Sequence, residues 1–368
     1  MTVEFSREDL LKRLQTTIGV VERRQTMPIL ANVFMEIDGD RFRLVGTDLE
    51  IELMAEGSCK SDVNTSLTVS GRKLLDIVRS LPEQARILCT ANEDRMILRS
   101  GGSRFSLSTL PASDFPKTPF PETSALISIQ QENLKLLLER TQFSMAHQDV
   151  RYYLNGLLFD VQPGLLRAVA TDGHRLSMAE VEIKETSIEP RQIILPRKGI
   201  LELQKLLDKG SVMLQIAPTQ VTAVLDGVRF TSKLVDGRFP DYEKVVPKHL
   251  PRSLTIDRQS LRLGLSRAAI LSNEKFRGVR LGLDPKGLTI RAHNAEQEEA
   301  EEFLAADYNG EPMEIGFNVT YLMEPLAVLP NEQVRLEFSD ANGSCLITGI
   351  ENGTPSVPNK HVVMPMRL

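Results

Sequence analysis

The sequence predicts an α+β protein built from one domain that is repeated three times. The segment LANVFMEI at 30–37 recurs as LNGLLFDV at 154–161 and as FRGVRLGL at 276–283, at offsets of 124 and 122 residues. A polar pair follows each alternating apolar run at the same offsets: Thr47-Asp48, Thr171-Asp172 and His293-Asn294. Two neighbouring blocks in one register indicate three copies of a single module.

The first copy is predicted to contain two successive βαβββ units. A strand near 3–5 precedes a helix over 7–20, in which Leu10, Leu14 and Ile18 form one apolar stripe. Alternating apolar residues and turn signals then predict three strands, near 30–37, 41–47 and 51–56. The second unit repeats this order, with Ser70 as the expected N-cap of its helix: a strand at 67–69, a helix over 70–80, and strands near 86–90, 95–99 and 104–110.

The other two copies follow the same order of elements. Their predicted helices cover 131–141, 197–209, 257–268 and 318–328. Strands of the second copy are expected at 154–161, 165–171, 212–217, 221–225 and 228–234. Prolines punctuate the chain at 116–121 and at 247–251, which is typical of linkers. We therefore predict three domains, at 1–122, 123–249 and 250–368.

Composition places the chain among ordinary globular proteins. Of its 368 residues, 41% are hydrophobic and 25% are charged, and no window approaches the roughly 18 apolar residues of a membrane span. The N-terminus lacks a basic start followed by an apolar core, so no leader is expected. The three cysteines have neither CxxC spacing nor clustered histidines around them. These features disfavour disulfides and a metal site, and they predict a cytoplasmic protein.

The basic charge is concentrated in the predicted helices. Although the formal net charge is −5, the six helices contain fifteen Lys or Arg against nine Asp or Glu, which leaves −11 for the remainder. A basic surface on an acidic protein is typical of phosphate-backbone binding. Ordinary solvated faces of amphipathic helices would give the same pattern, so composition leaves both interpretations open.

No catalytic motif is present, and the five histidines stand singly. The best candidate is TDGHRL at 171–176, where Asp172 and His174 could form a general-base pair, a structural turn or a docking site. The first copy has Thr47-Asp48-Leu49-Glu50 instead, so Gly173, His174 and Arg175 are special to the second copy. Without a nucleophile or a metal partner, this favours binding over catalysis. The methionine-containing tail at 362–368 suits a surface that adapts to several peptides.

Five segments resemble the β sliding clamps, the beta subunits of bacterial DNA polymerase III. They are SMAHQDVRYYLNG at 144–156, ATDGHRL at 170–176, FTSKLVDGRFPDY at 230–242, LSNEKFRGV at 271–279 and VVMPMRL at 362–368. The resemblance extends over the whole chain. It implies the DNA clamp fold and a head-to-tail homodimer that closes a six-domain ring around duplex DNA, without catalysis, cofactor or metal. A heterologous contact that closes does generate a ring.

The resemblance also implies roles for individual residues. The DNA contacts would be Arg24, Arg72, Lys73, Gln148, Tyr152, Tyr153 and Arg197, to which its helix face adds Arg79. The dimer interface would contain Phe105, Leu107, Ile270, Leu271, Glu296, Glu299 and Glu302. A pocket for partner peptides would be formed by Leu154, Thr171, Gly173, His174, Arg175, Leu176, Pro240, Lys244, Val245, Asn318, Tyr321, Asn342, Ser344, Val362, Met364, Pro365, Met366 and Arg367.

The implied function is DNA replication as a processivity factor of the polymerase III holoenzyme. The expected partners are double-stranded DNA, the replicative polymerase catalytic subunit, the clamp loader, and other polymerases and repair proteins that bind through short peptide motifs. No membrane partner is expected. Two other hypotheses stay open on the sequence: a hydrolase that uses Asp172 and His174, and an interaction scaffold that does not bind DNA.

Overall fold

The computed structural model describes residues 2–21, 27–92, 94–119, 125–355 and 358–367. Arg24 and the first predicted domain boundary lie outside these residues. The chain forms two compact units, which we call the first unit (Met1–Glu132 with Leu201–Leu234) and the second unit (Asn133–Ile200 with Val235–Leu368).

The secondary structure alternates short strands with single helices. The helices are α1 (Arg7–Thr17), α2 (Gly71–Ser80), α3 (Gln131–Thr141), α4 (Arg197–Leu206), α5 (Tyr242–Val245), α6 (Arg258–Ala268) and α7 (Val319–Val328). The strands are β1 (Val3–Ser6), β2 (Asn32–Asp38), β3 (Arg41–Thr47), β4 (Ile51–Ser61), β5 (Thr65–Ser70), β6 (Arg86–Ala91), β7 (Arg95–Ser100), β8 (Ser103–Leu110), β9 (Ala125–Gln130), β10 (Gly156–Gln162), β11 (Leu165–Thr171), β12 (Arg175–Glu182), β13 (Arg191–Pro196), β14 (Ser211–Ile216), β15 (Gln220–Leu225), β16 (Val228–Lys233), β17 (Arg252–Asp257), β18 (Gly278–Asp284), β19 (Gly287–His293), β20 (Glu299–Leu304), β21 (Asp307–Asn309), β22 (Met313–Asn318), β23 (Gln333–Phe338), β24 (Cys345–Glu351), β25 (Thr354–Pro355) and β26 (Asn359–Val363).

This order confirms the predicted pairs of βαβββ units, although the helices differ from the prediction in several respects and strands β9, β12 and β13 of the second repeat were not predicted. The short helix α5 was not predicted, because a single turn carries no periodic pattern long enough to detect. Ser70 stands at the N-cap of α2 as predicted, but its side chain makes no capping hydrogen bond. The first helix ends at Thr17, and a 3₁₀ turn covers the remainder of the predicted helix to Val20.

The first unit contains one twelve-stranded sheet, in the order β1-β6-β7-β8-β5-β2-β3-β4-β16-β15-β14-β9. Strand β4 of the first repeat pairs antiparallel with β16 of the second, so two repeats share one sheet. Its core contains Phe5 and Phe42, whose rings meet edge to face with centroids 5.0 Å apart. Buried leucines of α1 and α2, including Leu10 and Leu74, pack in the same cluster.

The second unit contains a ten-stranded sheet and a four-stranded sheet β20-β19-β18-β22. Nine strands of the larger sheet follow the order β13-β10-β11-β12-β26-β24-β23-β17-β21, and the tenth, β25, pairs with β24. Strand β12 of the second repeat pairs with β26 of the third, which again joins two repeats. We call this pairing the seam. In its register, Leu176 lies opposite Val362 and Ser177 lies opposite His361. The loop Thr171–Arg175 and the tail after Val363 therefore lie side by side.

Candidate functional site

A cavity of about 270 Å³ lies at the seam of the second unit, and we call it the seam pocket. It is lined by Arg151, Leu154, Thr171, Gly173, Arg175, Leu176, Pro240, Tyr242, Val245, Val362 and Met364. All but two of these residues were predicted as pocket residues from the resemblance. Arg151 and Tyr242 are additions, although both lie within the segments that carried the resemblance.

The floor of the seam pocket is apolar. Leu154, Leu176 and Val362 are each about 1% exposed, and Leu176 and Val362 are opposite one another across the seam. At the mouth, Val245 and Met364 leave 40% and 45% of their surface exposed. A concave apolar floor with exposed apolar side chains at its mouth can bury the apolar side chains of a partner.

The loop Thr171–Arg175 is held as a tight polar turn. Asp172 Oδ1 accepts hydrogen bonds from the backbone N of His174 at 2.9 Å and of Arg175 at 3.1 Å. Thr171 Oγ1 accepts from Gly173 N at 3.1 Å and donates to Arg175 O at 2.6 Å. Gly173 has φ +88°, which favours glycine. Since the bond from His174 comes from its backbone and not its ring, this geometry supports the turn interpretation over a general-base pair.

The first repeat folds the corresponding loop in the same way. Thr47 Oγ1 donates to Ile51 O at 2.8 Å, and Asp48 Oδ1 accepts from the backbone N of Glu50 and Ile51 at 2.9 and 2.7 Å. Leu49 has a positive φ of 77° where the second repeat has Gly173. The Thr-Asp pair is therefore scaffold, as its recurrence in the sequence indicated.

Arg175 connects the loop to the third repeat. Its Nε donates to Asp172 Oδ2 at 3.1 Å, and its guanidinium also pairs with Glu324 of α7 and donates to the carbonyl of Phe143. The guanidinium carbon lies 4.4 Å from the centre of the Tyr321 ring, a cation–π contact. Tyr321, a predicted pocket residue outside the cavity lining, is thus coupled to the pocket through Arg175.

The cations around the seam pocket have carboxylate partners within the chain. Arg151 Nη2 lies 2.9 Å from Asp149 Oδ2, and the hydrogen bonds from Arg151 lower the pKa of Asp149 to about 2. Lys244 Nζ lies 2.8 Å from Asp241 Oδ2. Since Arg175 is paired as well, the pocket offers a partner apolar surface more than net charge.

Several predicted pocket residues lie near the cavity without lining it. His174 is exposed, and its carbonyl accepts from Met364 N at 2.9 Å, which ties the loop to the tail. Asn318 caps α7 by accepting from Thr320 N at 2.9 Å. The lining, which is drawn from the described residues, also leaves out Lys244, Asn342, Ser344, Pro365, Met366 and Arg367.

The predicted DNA contacts differ in exposure. Lys73 and Arg79 are exposed on α2, and Gln148 is exposed at a backbone φ of +58°. The ring of Tyr152 is 57% exposed and lies 5.9 Å from the Tyr153 ring. By contrast, Arg72 and Arg197 are half-buried. Their guanidinium groups donate to Val21 O at 3.0 Å and to Met145 O at 3.4 Å.

Several arginines of the predicted helices direct their guanidinium groups to hydrogen-bond acceptors of the protein and not to solvent. The positive charge counted from the sequence is therefore not all exposed. Arg7 donates to the carbonyls of Val78 and Arg79, at the C-terminal end of α2. Arg258 donates to the carbonyls of Leu326 and Asn331, both at 2.8 Å. Arg140 donates to Asn359 at 3.2 Å, and burial lowers the pKa of its guanidinium. A count of helix charges therefore overstates the cationic surface.

The predicted interface residues surround two sheet edges. Strand β8 contains Phe105 and Leu107 and pairs with β5 through Thr109 and Leu110. Among the residues that the structure describes, no strand pairs with the remainder of this edge of β8. Strand β20, which contains Glu299 and Glu302, ends the four-stranded sheet.

Next to β20 in the third repeat, Ile270 is 77% exposed and Leu271 is half-buried. Glu296 and Glu299 are exposed, whereas Glu302 pairs with Arg267 at 2.7 Å. The two segments thus combine open backbone, exposed apolar side chains and acidic charge.

Two further observations concern the described residues only. They contain no group of three or more His, Cys, Asp or Glu arranged to hold a metal ion. None of the helices formed by these residues is long and apolar enough to cross a membrane.

The repeated modules, the open sheet edges and the apolar seam pocket define an assembly and docking protein. Family models of the DNA polymerase III beta subunit match the chain three times: the N-terminal domain at residues 1–119, the central domain at 128–241 and the C-terminal domain at 243–367. The chain therefore belongs to the DNA polymerase III beta subunit family, the β sliding clamps. The family that the five segments indicated is confirmed, and so is the predicted clamp fold with three domains.

Relatives match over their full length. The beta sliding clamps of Pseudomonas putida and Escherichia coli are 48% and 46% identical over 371 aligned residues, which cover 100% of both chains in each case. A Pseudomonas aeruginosa DnaN sliding clamp, solved bound to griselimycin, is 48% identical, with a TM-score of 0.96 and 100% coverage of both chains. Caulobacter crescentus pol III beta has a TM-score of 0.93 at 37% identity, also with 100% coverage.

Proposed function

We propose that this chain is a processivity clamp: two copies close head to tail into a ring around duplex DNA and tether the replicative polymerase. The observation that carries the proposal is the pair of open strand edges, one in the first repeat and one in the third. A contact between two different surfaces closes into a ring when the rotation allows it, and three equivalent domains per chain favour a ring of six. No catalytic step is involved.

Strand β8 of one copy and strand β20 of the other are complementary. Each has an unpaired edge, so antiparallel pairing would continue one sheet across the interface. Arg104 is exposed on β8, while β20 has the acidic sequence EAEEFL. Exposed Ile270 and Phe303 would be covered by the apolar face around Phe105. This charge complementarity favours pairing of β8 with β20 over pairing of two β8 edges or of two β20 edges.

DNA would be held without sequence specificity. Exposed Lys73 and Arg79 can attract phosphates at the surface, and the aromatic Tyr152 can stack on a base. Residues whose guanidinium groups are engaged by backbone carbonyls, such as Arg72 and Arg197, would contribute less. Weak, non-specific phosphate contacts permit sliding, since no single register is preferred.

The seam pocket would take short apolar peptides from polymerases, the clamp loader and repair proteins. Its floor is apolar and its cations are paired within the chain, which suits a segment held by buried side chains. Because a P. aeruginosa clamp binds griselimycin, that compound is a suitable probe for this chain. We expect Met364→Ala and Leu176→Ala to weaken griselimycin binding.

The test of the clamp mechanism is topological. Loaded by a clamp loader, the protein should remain on nicked circular DNA and run off linear DNA with free ends. Lys73→Glu with Arg79→Glu should reduce loading, whereas Arg41→Glu with Lys60→Glu, a matched reversal of two exposed cations on β3 and β4, should not. Equal retention on circular and linear DNA contradicts the ring.

A scaffold without DNA is the second candidate, and the inward-pointing helix cations favour it. DNA retention of the unaltered protein separates the proposals. If that protein is retained on neither circular nor linear DNA while griselimycin still binds, the scaffold interpretation is correct.

A further inference from the structure

One wall of the seam pocket is formed by a helix too short to be stable alone. Helix α5 contains four residues, and its Tyr242 and Val245 line the cavity. A single helical turn fixes several backbone dihedrals for one hydrogen bond, so its position must come from tertiary contacts.

A buried polar network lies behind this wall. Tyr242 is 4% exposed, and its hydroxyl donates to Asp160 of β10 and accepts from Arg167 Nη1 of β11 at 2.6 Å. Asp160 is 3% exposed and also accepts from Gln162 Nε2 at 2.7 Å and Gln192 Nε2 at 3.3 Å. Burial, together with the bond to Asp160, raises the pKa of Tyr242 to about 12, so the hydroxyl remains a donor at neutral pH.

Arg167 holds the same helix at a second point. Its Nε donates to Glu180 at 3.1 Å, and its Nη1 lies 3.7 Å from Glu243 Oε1. The guanidinium carbon also lies 5.6 Å from the centre of the Tyr242 ring. Two consecutive residues of α5 are thus fixed to one arginine on the sheet.

The first repeat contains this ion group without the tyrosine. At an offset of 124 residues, Arg43 Nε donates to Glu56 at 2.8 Å and its Nη1 lies 3.5 Å from Glu36. The position equivalent to Tyr242 is Thr118, whose backbone N donates to Glu52 at 3.0 Å. The ion group therefore belongs to the repeated scaffold. In the first repeat it lines a cavity directly, whereas in the second repeat Tyr242 joins it to the lining of the seam pocket.

We infer that Asp160 and Arg167 are positioning residues of the seam pocket, which fix the Tyr242 wall and thereby set affinity for an apolar segment that they do not touch. Neither side chain lines the cavity. The inference rests on the proposed function of the pocket. Tyr242 joins the network to the cavity lining, so its hydroxyl is the atom to remove.

Tyr242→Phe keeps the ring in the wall and removes only the hydroxyl. Griselimycin binding to the full-length protein, measured by calorimetry, should weaken about fivefold, the ratio that one lost hydrogen bond of ordinary strength gives. The matched control is Tyr308→Phe, since Tyr308 is 7% exposed and its hydroxyl donates to Glu311 O at 2.8 Å, outside the pocket lining. That variant should lose similar thermal stability and keep wild-type affinity.

A second pair of variants tests the carboxylate. Asp160→Ala should weaken binding at least as much as Tyr242→Phe, and Asp160→Asn, which retains an oxygen to accept the Tyr242 hydroxyl, should restore most of the affinity. Wild-type affinity in Tyr242→Phe, or equal weakening in Tyr242→Phe and Tyr308→Phe, overturns the inference. If the unaltered protein does not bind griselimycin, or Leu176→Ala binds it normally, the proposed function of the pocket fails instead, and the inference falls with it.

Discussion

Acid should destabilise the second unit through one buried histidine of the seam. His361 of β26 is fully buried, its Nδ1 lies 2.9 Å from Ser177 Oγ, and its ring stacks on Phe143 at 5.8 Å. Burial, reinforced by the nearby Arg140 charge, lowers the pKa of His361 from 6.5 to about 3. Below pH 6.5 His361 binds a proton in the unfolded chain but stays neutral in the folded protein. The free energy of unfolding therefore falls as the pH falls from 6.5 towards 3.

The expected size of the effect follows from the two pKa values. Between pH 7 and pH 5 the unfolded state gains about 2 kcal/mol from protonating His361, and the folded state gains almost nothing. Tyrosine fluorescence is a suitable readout, because the chain has five tyrosines and no tryptophan, and all five lie in the second unit. Urea unfolding at both pH values gives the loss of stability on acidification.

Replacing the histidine isolates its contribution. His361→Gln should reduce the loss between pH 7 and pH 5 by about 2 kcal/mol, whatever its effect on stability at pH 7. The matched control is His293→Gln, since His293 is exposed on β19 of the same unit. If His361→Gln and the wild type lose the same stability over this interval, the argument from burial is refuted.

Three further predictions concern binding and assembly. Raising salt from 50 to 200 mM should reduce DNA retention steeply and griselimycin affinity little, because phosphate contacts release counterions and the pocket is apolar. An equally steep salt dependence of griselimycin affinity would contradict an apolar pocket. Gly173→Ala and Gly164→Ala both place alanine at positive φ, but only at Gly173 would the new Cβ lie 3.1 Å from Arg151, so only that variant should weaken griselimycin binding. Ile270→Ala with Leu271→Ala should convert dimers to monomers in sedimentation, and a persistent dimer would refute the interface.

The repeat and its periodicity predicted the elements well, because each strand is short, alternating and bounded by turn residues. Strand β11 was predicted at its observed bounds, Leu165–Thr171. The pairing of β4 with β16 and of β12 with β26 had no local signal, since register between distant strands depends on tertiary packing.

The candidate site was predicted by resemblance more than by chemistry. Comparison of the repeats assigned Thr171 and Asp172 to the shared scaffold, and Thr47 and Asp48 make the same hydrogen bonds, whereas a special role of Gly173 stays a prediction. Tyr242 and Arg151 were not predicted as lining residues, although both lie in segments that resemble the β sliding clamps. A sequence does not tell which side chains a turn directs into a cavity. The hydrogen bonds from Arg7 and Arg258 to backbone carbonyls could not be predicted either, since a count of charged residues does not show which way their side chains point.

Comparison of the two seams explains why only one offers an apolar pocket. The first unit has a cavity of about 300 Å³ beside the β4–β16 pairing, which is the seam of that unit. Its lining shares two repeat positions with the seam pocket: Glu52 stands at the position of Leu176, and Thr118 at that of Tyr242. Glu52 is 4% exposed and has Arg229 at 3.6 Å. An apolar side chain inserted at that seam would have to cover a buried carboxylate, which costs free energy unless the charge keeps all its partners. Glutamate in place of leucine at this position, together with the other charged residues of that lining (Glu36, Arg43, Glu56, Lys117 and Arg229), makes the first cavity polar where the seam pocket is apolar.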